Sequence, residues 1–195
     1  MGMSETGSSI QGELGSILDE VRRLSNISRK LLLLSQADSG RLNVLREPFD
    51  LSKALGDLVE DIHLLAPDLT VTSMIQPGLF IQADLTLFPQ ILHNLISNAI
   101  KYNLDKGWIE VSASGLSEGV EVRIANASPG IPVTEQSKLF ERFFRADPAH
   151  SRHIEGVGLG LSVSREIAKV HGGDIFFRAD GDGTVRFTLY LPRGQ

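Results

Sequence analysis

Residues 156 to 173 read GVGLGLSVSREIAKVHGG, and this stretch decides the class of fold. Three glycines at alternate positions lead directly into an apolar pattern of helical spacing, which Gly172-Gly173 ends. Such glycines let backbone N–H groups approach an anion at the N-terminus of a helix. The loop is not of the Walker A type, because no Gly-Lys-Ser/Thr follows, and Leu161 replaces the last glycine of a dinucleotide-binding loop. The stretch therefore predicts an anion-binding loop that opens a helix.

Alternating and helical patterns on the N-terminal and C-terminal sides of this loop indicate an α+β fold. Two β-hairpins are predicted, and two short extended runs are expected before them. Their residues are 108–114 with 120–125, 174–178 with 184–191, 69–75, and 79–82. One helix should begin after the N-cap Asp50 and end before Pro67. Another should run from about Asp84 to Tyr102, with Pro89 making its first turn irregular or delaying it. Three helices and about six strands predict a two-layer sandwich.

The first fifty residues follow a different pattern. Residues 1 to 9 are small and polar, and we expect them to form a flexible, tag-like start outside the fold. From about Ile10 to Ala37, apolar residues recur at intervals of three and four, and Gly40 suits the turn that ends such a helix. One helix cannot bury this stripe alone, so it requires partner helices. Residues 41 to 48 are expected to be a connector.

Composition excludes several classes of function. Lys and Arg total 19 against 24 Asp and Glu, and the net charge of −5 disfavours nucleic-acid binding. No run approaches the roughly 18 apolar residues of a membrane span, and no secretory signal is predicted. The absence of cysteine excludes disulfides, thiolate zinc sites and thiol catalysis. We expect a soluble protein of a reducing compartment.

Residues 93 to 102, HNLISNAIKY, place polar side chains on a helix that is otherwise rich in Ile and Leu. Asn94 and Asn98 lie four residues apart and share one face, and Lys101 lies three residues beyond Asn98. The simpler interpretation is a polar stripe at the domain surface. The functional interpretation is that the amide oxygen of Asn98 binds Mg²⁺ and that Lys101 neutralises phosphate.

Two further segments carry weaker signals. Residues 126 to 131, NASPGI, follow a strand, and a side-chain acceptor before a glycine turn can hold a purine amino group, although most such segments are plain turns. Residues 138 to 145, KLFERFFR, have the pattern of a small hydrophobic helix built on Phe140 and Phe143. Arg145 is the functional candidate of that segment.

In this order and spacing, the four segments resemble the catalytic, ATP-binding region of two-component sensor histidine kinases in the GHKL superfamily. The N box corresponds to residues 94–103, the G1 box to 126–131, the F box to 140–145 and the G2 box to 156–161. The resemblance implies an ATP-binding domain over residues 50–195, with the GHKL (Bergerat) fold of a mixed sheet under three helices. Residues 10–49 resemble the second helix of the dimerisation bundle and the linker after it.

The resemblance implies a site for ATP and Mg²⁺. Asn98 would bind the metal ion, Lys101 and Arg145 would contact phosphate, and Asn126 would accept from adenine. Asn94 occupies the position at which ATP-hydrolysing members carry Glu, and an amide cannot act as a general base. The other nucleotide contacts implied are Tyr102, Gly130, Ile131, Gly156, Val157, Gly158, Leu159, Gly160 and Leu161. Residues 146 to 155 would form a lid over the phosphates.

The resemblance also implies partners. The γ-phosphate would pass from ATP to a histidine on a dimerisation helix, and then to a response regulator receiver domain. All five histidines lie at position 63 or beyond, so we expect the helix with the acceptor histidine to be absent from this sequence. The parent protein would be a homodimer anchored in a bacterial inner membrane, with this portion in the cytoplasm.

The G1 box departs from the family pattern of Asp-x-Gly-x-Gly. Asn126 replaces the Asp, which gives a weaker, neutral acceptor, and Ser128 replaces the first glycine. A similar Asn is found in the subgroup that resembles heavy-metal sensor kinases. Two alternatives to the kinase stay open: a degenerate ATP-binding module that acts through protein contacts, and another GHKL ATPase or kinase.

Overall fold

The structure, a computed structural model, describes residues 3 to 146 and 157 to 192, with side chains from residue 13 onward. The chain divides into two compact units, Met1–Arg41 and Leu42–Gln195. No helix in the described ranges is both long and apolar enough to cross a membrane.

The first unit is one helix, α1, which runs Met3–Asp38. It begins before the predicted start near Ile10, because Gly7 is the only glycine between Met3 and Ile10 and one glycine costs only about 1 kcal/mol. The predicted C-terminal turn is confirmed: Gly40 has φ +65°, and the N–H of Arg41 donates to the carbonyl of Gln36.

The second unit contains seven strands and four helices within the described residues. In chain order they are β1 Glu47–Asp50, α2 Leu51–Leu65, β2 Thr70–Ile75, β3 Phe80–Ala83, α3 Phe88–Lys101, β4 Trp108–Gly115, β5 Gly119–Ala127, α4 Val133–Gln136, α5 Gly160–Val170, β6 Asp174–Ala179 and β7 Thr184–Pro192.

Five strands form one mixed sheet in the order β2-β4-β5-β7-β6. Strands β2 and β4 are parallel, and the other neighbours are antiparallel. Both predicted hairpins, β4–β5 and β6–β7, are confirmed. The strand β1 was not predicted: its four residues, from the end of the predicted connector to the N-cap Asp50, pair antiparallel with β3, and a strand so short has no readable pattern of its own.

One face of this sheet is covered by α2, α3 and α5. Along β7 every second residue from Val185 to Leu191 is buried and the residues between them are not. The strand β4 alternates in the same way over its first six residues. The helices contribute Leu55, Phe88 and Ile167 to the shared core. The predicted α+β two-layer sandwich with a mixed sheet is therefore confirmed.

The start of α3 follows the predicted irregularity. The carboxylate of Asp84 accepts hydrogen bonds from the backbone N–H groups of Thr86 and Leu87, and regular helix begins at Phe88. Pro89 then lies in the first turn, where its missing N–H costs no helical hydrogen bond.

Candidate active site

The central helix α3 carries the N-box residues on its edge. Its apolar positions, including Leu95 and Ile96, are buried, whereas Asn94 and Asn98 are half-buried and lie one turn apart. Lys101 is the last residue of the helix, and Tyr102 caps it with an N–H that donates to the carbonyl of Asn98. The four-residue spacing thus keeps two amides at the boundary between core and solvent.

The helix α5 begins immediately after the glycine-rich loop. Leu159 precedes it and supplies no side-chain cap, and no acidic residue lies in the first turn. The leading N–H groups of a helix have no partner within it, and the helix dipole adds positive potential there. This end of α5 is therefore suited to an anion.

The side chain of Asn94 joins α3 to this end of α5. Its Nδ2 donates to the hydroxyl of Ser164 over 3.1 Å and to the carbonyl of Gly160 over 3.4 Å. Gly160 and Ser164 are four residues apart, so they lie on the same face of α5. The predicted N-box and G2-box residues Asn94 and Gly160 are in this way brought together.

The glycine-rich loop also meets the F-box segment. Gly158 has φ +75°, and its carbonyl accepts from the N–H of Phe143 over 2.9 Å. A Cβ at Gly158 would lie 2.7 Å from the carbonyl oxygen of Phe144, so glycine is required for this approach. Arg145 follows two residues later and is partly exposed.

The F-box aromatic residues do not form the small hydrophobic helix that the sequence predicts. Residues 137 to 144 make successive tight turns, and Phe143 has φ +64° and is 56% exposed. Phe140 does pack, edge-on against Phe187 at 6.5 Å between ring centroids. The hydrogen bond from the N–H of Phe143 to the carbonyl of Gly158 holds Phe143 at a positive φ, which a right-handed helix does not allow.

Phe140 is held from the other side by Arg165 of α5. The guanidinium carbon of Arg165 lies 4.7 Å from the centre of the Phe140 ring. The same guanidinium donates to both carboxylate oxygens of Asp174, over 2.8 and 3.0 Å. This pair raises the pKa of Arg165 and lowers that of Asp174, so both groups stay charged.

The G1 box lies at the end of β5, on the helix-covered face of the sheet. Asn126 is buried, and its Nδ2 donates to the carbonyl of Ala127, so its side-chain oxygen remains as the acceptor. The backbone N–H of Ser128 donates to the carbonyl of Gly183, and the Ser128 hydroxyl accepts from Gly130, which has φ +89°. Ser128 thus serves as a turn residue where the family pattern has glycine.

A buried histidine links the far end of α5 to the entrance of α3. The Nε2 atom of His171 accepts from the N–H of Asp84 over 2.9 Å, and Nδ1 lies 2.7 Å from the carbonyl of Ile167. These contacts fit the neutral ring with its proton on Nδ1. Burial lowers the pKa of His171, and the charge of Arg46 lowers it further.

The other predicted contact residues occupy varied positions. Leu159 is buried, Val157, Gly158, Gly160, Leu161 and Ile131 are half-buried, and Lys101 and Tyr102 are exposed. Gly156 and the predicted lid beyond Ala146 lie outside the described residues.

Comparison with known proteins agrees with this architecture. Residues 83–195 match the family described as histidine kinase-, DNA gyrase B- and HSP90-like ATPase. The chain belongs to this family.

Relatives of this ATPase domain include the sensor histidine kinase HprS of Escherichia coli, which is 34% identical over 94% of the chain and 40% of HprS. The ATP-binding domain of PrrB from Mycobacterium tuberculosis is similar in structure, with 27% identity, a TM-score of 0.62 and coverage of 77% of this chain and 98% of that domain. Histidine kinase ThkA, in complex with the response regulator TrrA, shares the fold with 23% identity, a TM-score of 0.70 and coverage of 95% and 52%. The chain spans less than half the length of HprS.

The donor set of the ATPase domain limits which metal ion it could hold. The described residues contain no cluster of three or more His, Cys, Asp or Glu side chains that could bind a metal. The amide oxygen of the half-buried Asn98 is a hard ligand that fits Mg²⁺. A single protein oxygen ligand is typical of Mg²⁺ sites in which waters and the phosphates of the substrate supply the other ligands. It is not typical of sites in which several carboxylates surround the ion.

Sequence reasoning missed Ser164, the partner of Asn94. The spacing could have indicated this residue, since Ser164 lies four residues after Gly160 and so shares its face of the predicted helix. It could not be used because the partner lies 70 residues away on α3.

Proposed function

We propose that this chain is the ATP-binding catalytic region of a sensor histidine kinase, which transfers the γ-phosphoryl group of ATP to a histidine. The observation that supports it most directly is the contact between Asn94 and the start of α5. It brings the polar edge of α3 to an uncapped helix N-terminus, which is an arrangement suited to a polyphosphate. The relationship to HprS supports the kinase class.

Each candidate residue has a proposed role in nucleotide binding. The side-chain oxygen of Asn126 accepts from the adenine amino group. The backbone N–H groups of Gly158 and Gly160 donate to phosphate, and Lys101 and Arg145 neutralise its charge. Asn98 would hold Mg²⁺, and the ion would supply neutralisation of the phosphate charge.

The site is proposed to keep ATP from hydrolysing. The Asn94 side chain is an amide, which has no atom basic enough to take a proton from water. Its nitrogen donates hydrogen bonds to Ser164 and Gly160. Catalysis then depends on positioning and electrostatics, and the nucleophile is an imidazole brought in from outside the domain.

The acceptor and the partners follow from this mechanism. Residues 1 to 62 contain no histidine, so the acceptor is proposed to be on a separate dimerisation helix. The parent protein is proposed to be a membrane-anchored homodimer that passes phosphate to a response regulator receiver domain. Its cytoplasmic portion would include this chain.

Calorimetric titration with ATP, with and without Mg²⁺, tests the proposal. We expect binding that requires Mg²⁺ and is weakened at least about tenfold in Asn98→Ala, because one metal ligand is lost. The exposed Asn43 provides the matched control, and Asn43→Ala should bind like the wild type. Phosphate transfer is then measured with radiolabelled ATP and a supplied histidine-bearing helix.

The other outcomes select the alternatives. If millimolar ATP does not bind, the kinase proposal fails and a degenerate module acting through protein contacts is favoured. Turnover of ATP with water alone would instead indicate a hydrolytic member of the family. Binding that Asn98→Ala leaves unchanged would contradict the metal assignment.

A further inference from the structure

Ser164 is a hydroxyl group with no access to solvent, in the second turn of α5. Its oxygen is the nearer of the two acceptors of the Asn94 side chain, at 3.1 Å against 3.4 Å for the carbonyl of Gly160. A buried polar group at this position carries a desolvation cost unless it is hydrogen-bonded. The partner that it has is a residue of the proposed nucleotide site, not a neighbour in its own helix.

The two acceptors together fix the orientation of the Asn94 amide. A carbonyl oxygen can only accept, so the nitrogen of Asn94 and not its oxygen must face the carbonyl oxygen of Gly160. The hydroxyl of Ser164, one turn further along α5, accepts a hydrogen bond from the same amide nitrogen. An ideal Cβ at Gly160 would lie 3.6 Å from the Asn94 oxygen, which puts that oxygen beside the first residue of α5. The oxygen therefore has one defined position at the helix N-terminus.

We infer that Ser164 is a positioning residue, which acts through Asn94 to hold the N-box edge of α3 against the phosphate-binding turn of α5. This inference rests on the proposed function, because it concerns the same nucleotide site. Without the hydroxyl, the amide keeps only the longer bond to Gly160 and can rotate. The ligand would then have to fix Asn94 during binding, which costs affinity.

The test is the affinity for Mg²⁺-ATP of Ser164→Ala, measured by calorimetry. We expect binding about fivefold weaker than in the wild type, the size expected for one buried hydrogen bond. Ser162 supplies the matched control, because it is also buried in α5 but its hydroxyl bonds the carbonyl of Leu159. Ser162→Ala should leave the affinity within about twofold of the wild type, since it removes a bond local to the helix.

A double-mutant cycle separates positioning from a general effect on the fold. If Ser164 acts through Asn94, Ser164→Ala should change the affinity by less than about twofold once Asn94→Ala is present. Equal losses in the two backgrounds would overturn the inference. The side-chain NH₂ resonances of Asn94 give a second measurement without nucleotide. Their protection from hydrogen exchange should fall in Ser164→Ala and stay unchanged in Ser162→Ala.

Failure of this inference is distinguishable from failure of the proposed function. If the wild type does not bind Mg²⁺-ATP, the proposed function fails. If the wild type binds and Ser164→Ala binds equally well, only the role of Ser164 is wrong. Unchanged protection of the Asn94 amide in Ser164→Ala would contradict the positioning role independently of affinity.

Discussion

Gly158 lies in the glycine-rich loop and Gly160 begins α5 two residues later, and an added methyl group would meet very different surroundings at the two positions. At Gly158 it would lie 2.7 Å from backbone atoms of the F-box segment, and the backbone has φ +75°. At Gly160 it would be in ordinary contact with Asn94 at 3.6 Å. We therefore expect Gly158→Ala to lower the free energy of unfolding by about 2 kcal/mol or more. Gly160→Ala should change it by less than about 1 kcal/mol.

Urea unfolding of the two variants measures this difference. Since both substitutions add one methyl group within three consecutive residues, Gly160→Ala serves as the control for Gly158→Ala. Equal losses of stability would show that the contact between Gly158 and the Phe143–Phe144 backbone does not constrain the loop.

We expect His171 to make the stability of the domain depend on pH near neutrality. Burial lowers its pKa below the ordinary value of 6.5, so the folded state takes up a proton at lower pH than the unfolded chain. As the pH falls, the unfolded chain therefore binds more protons than the folded state. Stability decreases as the pH falls from above 6.5 through the folded-state pKa. We expect the free energy of unfolding to fall between pH 7.5 and 5.5, with a slope of at most about 1.4 kcal/mol per pH unit from this residue.

Replacing His171 with Gln should flatten that slope, whereas His93→Gln should keep it, because His93 is an exposed residue of α3. Unfolding in urea at several pH values provides the comparison. The carboxylates Asp84 and Asp174 do not interfere, since their pKa values are lowered from 3.8 and they titrate below this window. An unchanged slope in His171→Gln would mean that another group causes the pH dependence.

At the scale of elements, α5 is fixed to β6 by the pair of Arg165 and Asp174. The guanidinium binds both carboxylate oxygens and stacks on Phe140, so Lys cannot replace it. We expect Arg165→Lys to cost about 1 kcal/mol of stability, which is more than an ordinary surface ion pair contributes. Loss of the guanidinium should also loosen the F-box segment. Phe140 would lose its contact with Arg165 and keep the contact with Phe187.

The exposed pair of Lys53 and Asp57 on α2 is the comparison for this prediction. Both side chains are more than half exposed, so Lys53→Ala should cost less stability than Arg165→Lys. Thermal unfolding of both variants measures the two effects. Similar values for the two pairs would show that neither the bidentate geometry nor the aromatic contact adds stability.

Elements with a strong period were predictable, and elements that depend on distant pairing were not. The helix after Asp50 was predicted because its buried face repeats every three to four residues and its cap bonds the N–H of Lys53. The four-residue β1 was missed because it is defined only by pairing with β3. The same holds in the site: Asn94 was found from its helix, whereas Ser164 becomes meaningful only through a contact across 70 residues.

At the scale of the whole molecule, the unit from Leu42 to Gln195 has a core of its own. The side chains of Phe88, Ile91 and Ile124 are fully buried, and the sheet and its three helices lie entirely within this unit. We therefore expect a chain that begins at Leu42 to unfold at the melting temperature of the full chain within a few degrees. Its affinity for Mg²⁺-ATP should be unchanged in calorimetry. A loss of cooperative unfolding would show that the domain depends on α1.

The helix α1 exposes an apolar stripe that one helix cannot bury. Its exposed members are Leu14, Ile17, Leu18, Val21, Leu24 and Leu31. Because such a stripe is stabilised by packing against another helix, we expect the full chain to self-associate with increasing concentration in sedimentation. The chain from Leu42 should remain monomeric over the same range.

Leu18→Glu combined with Leu24→Glu should abolish the association by placing charges on the apolar face. Arg22→Gln, a change at an exposed polar position of the same helix, should preserve it. If the glutamate variant still associates, the contact lies elsewhere in the chain and α1 is not the dimerising element.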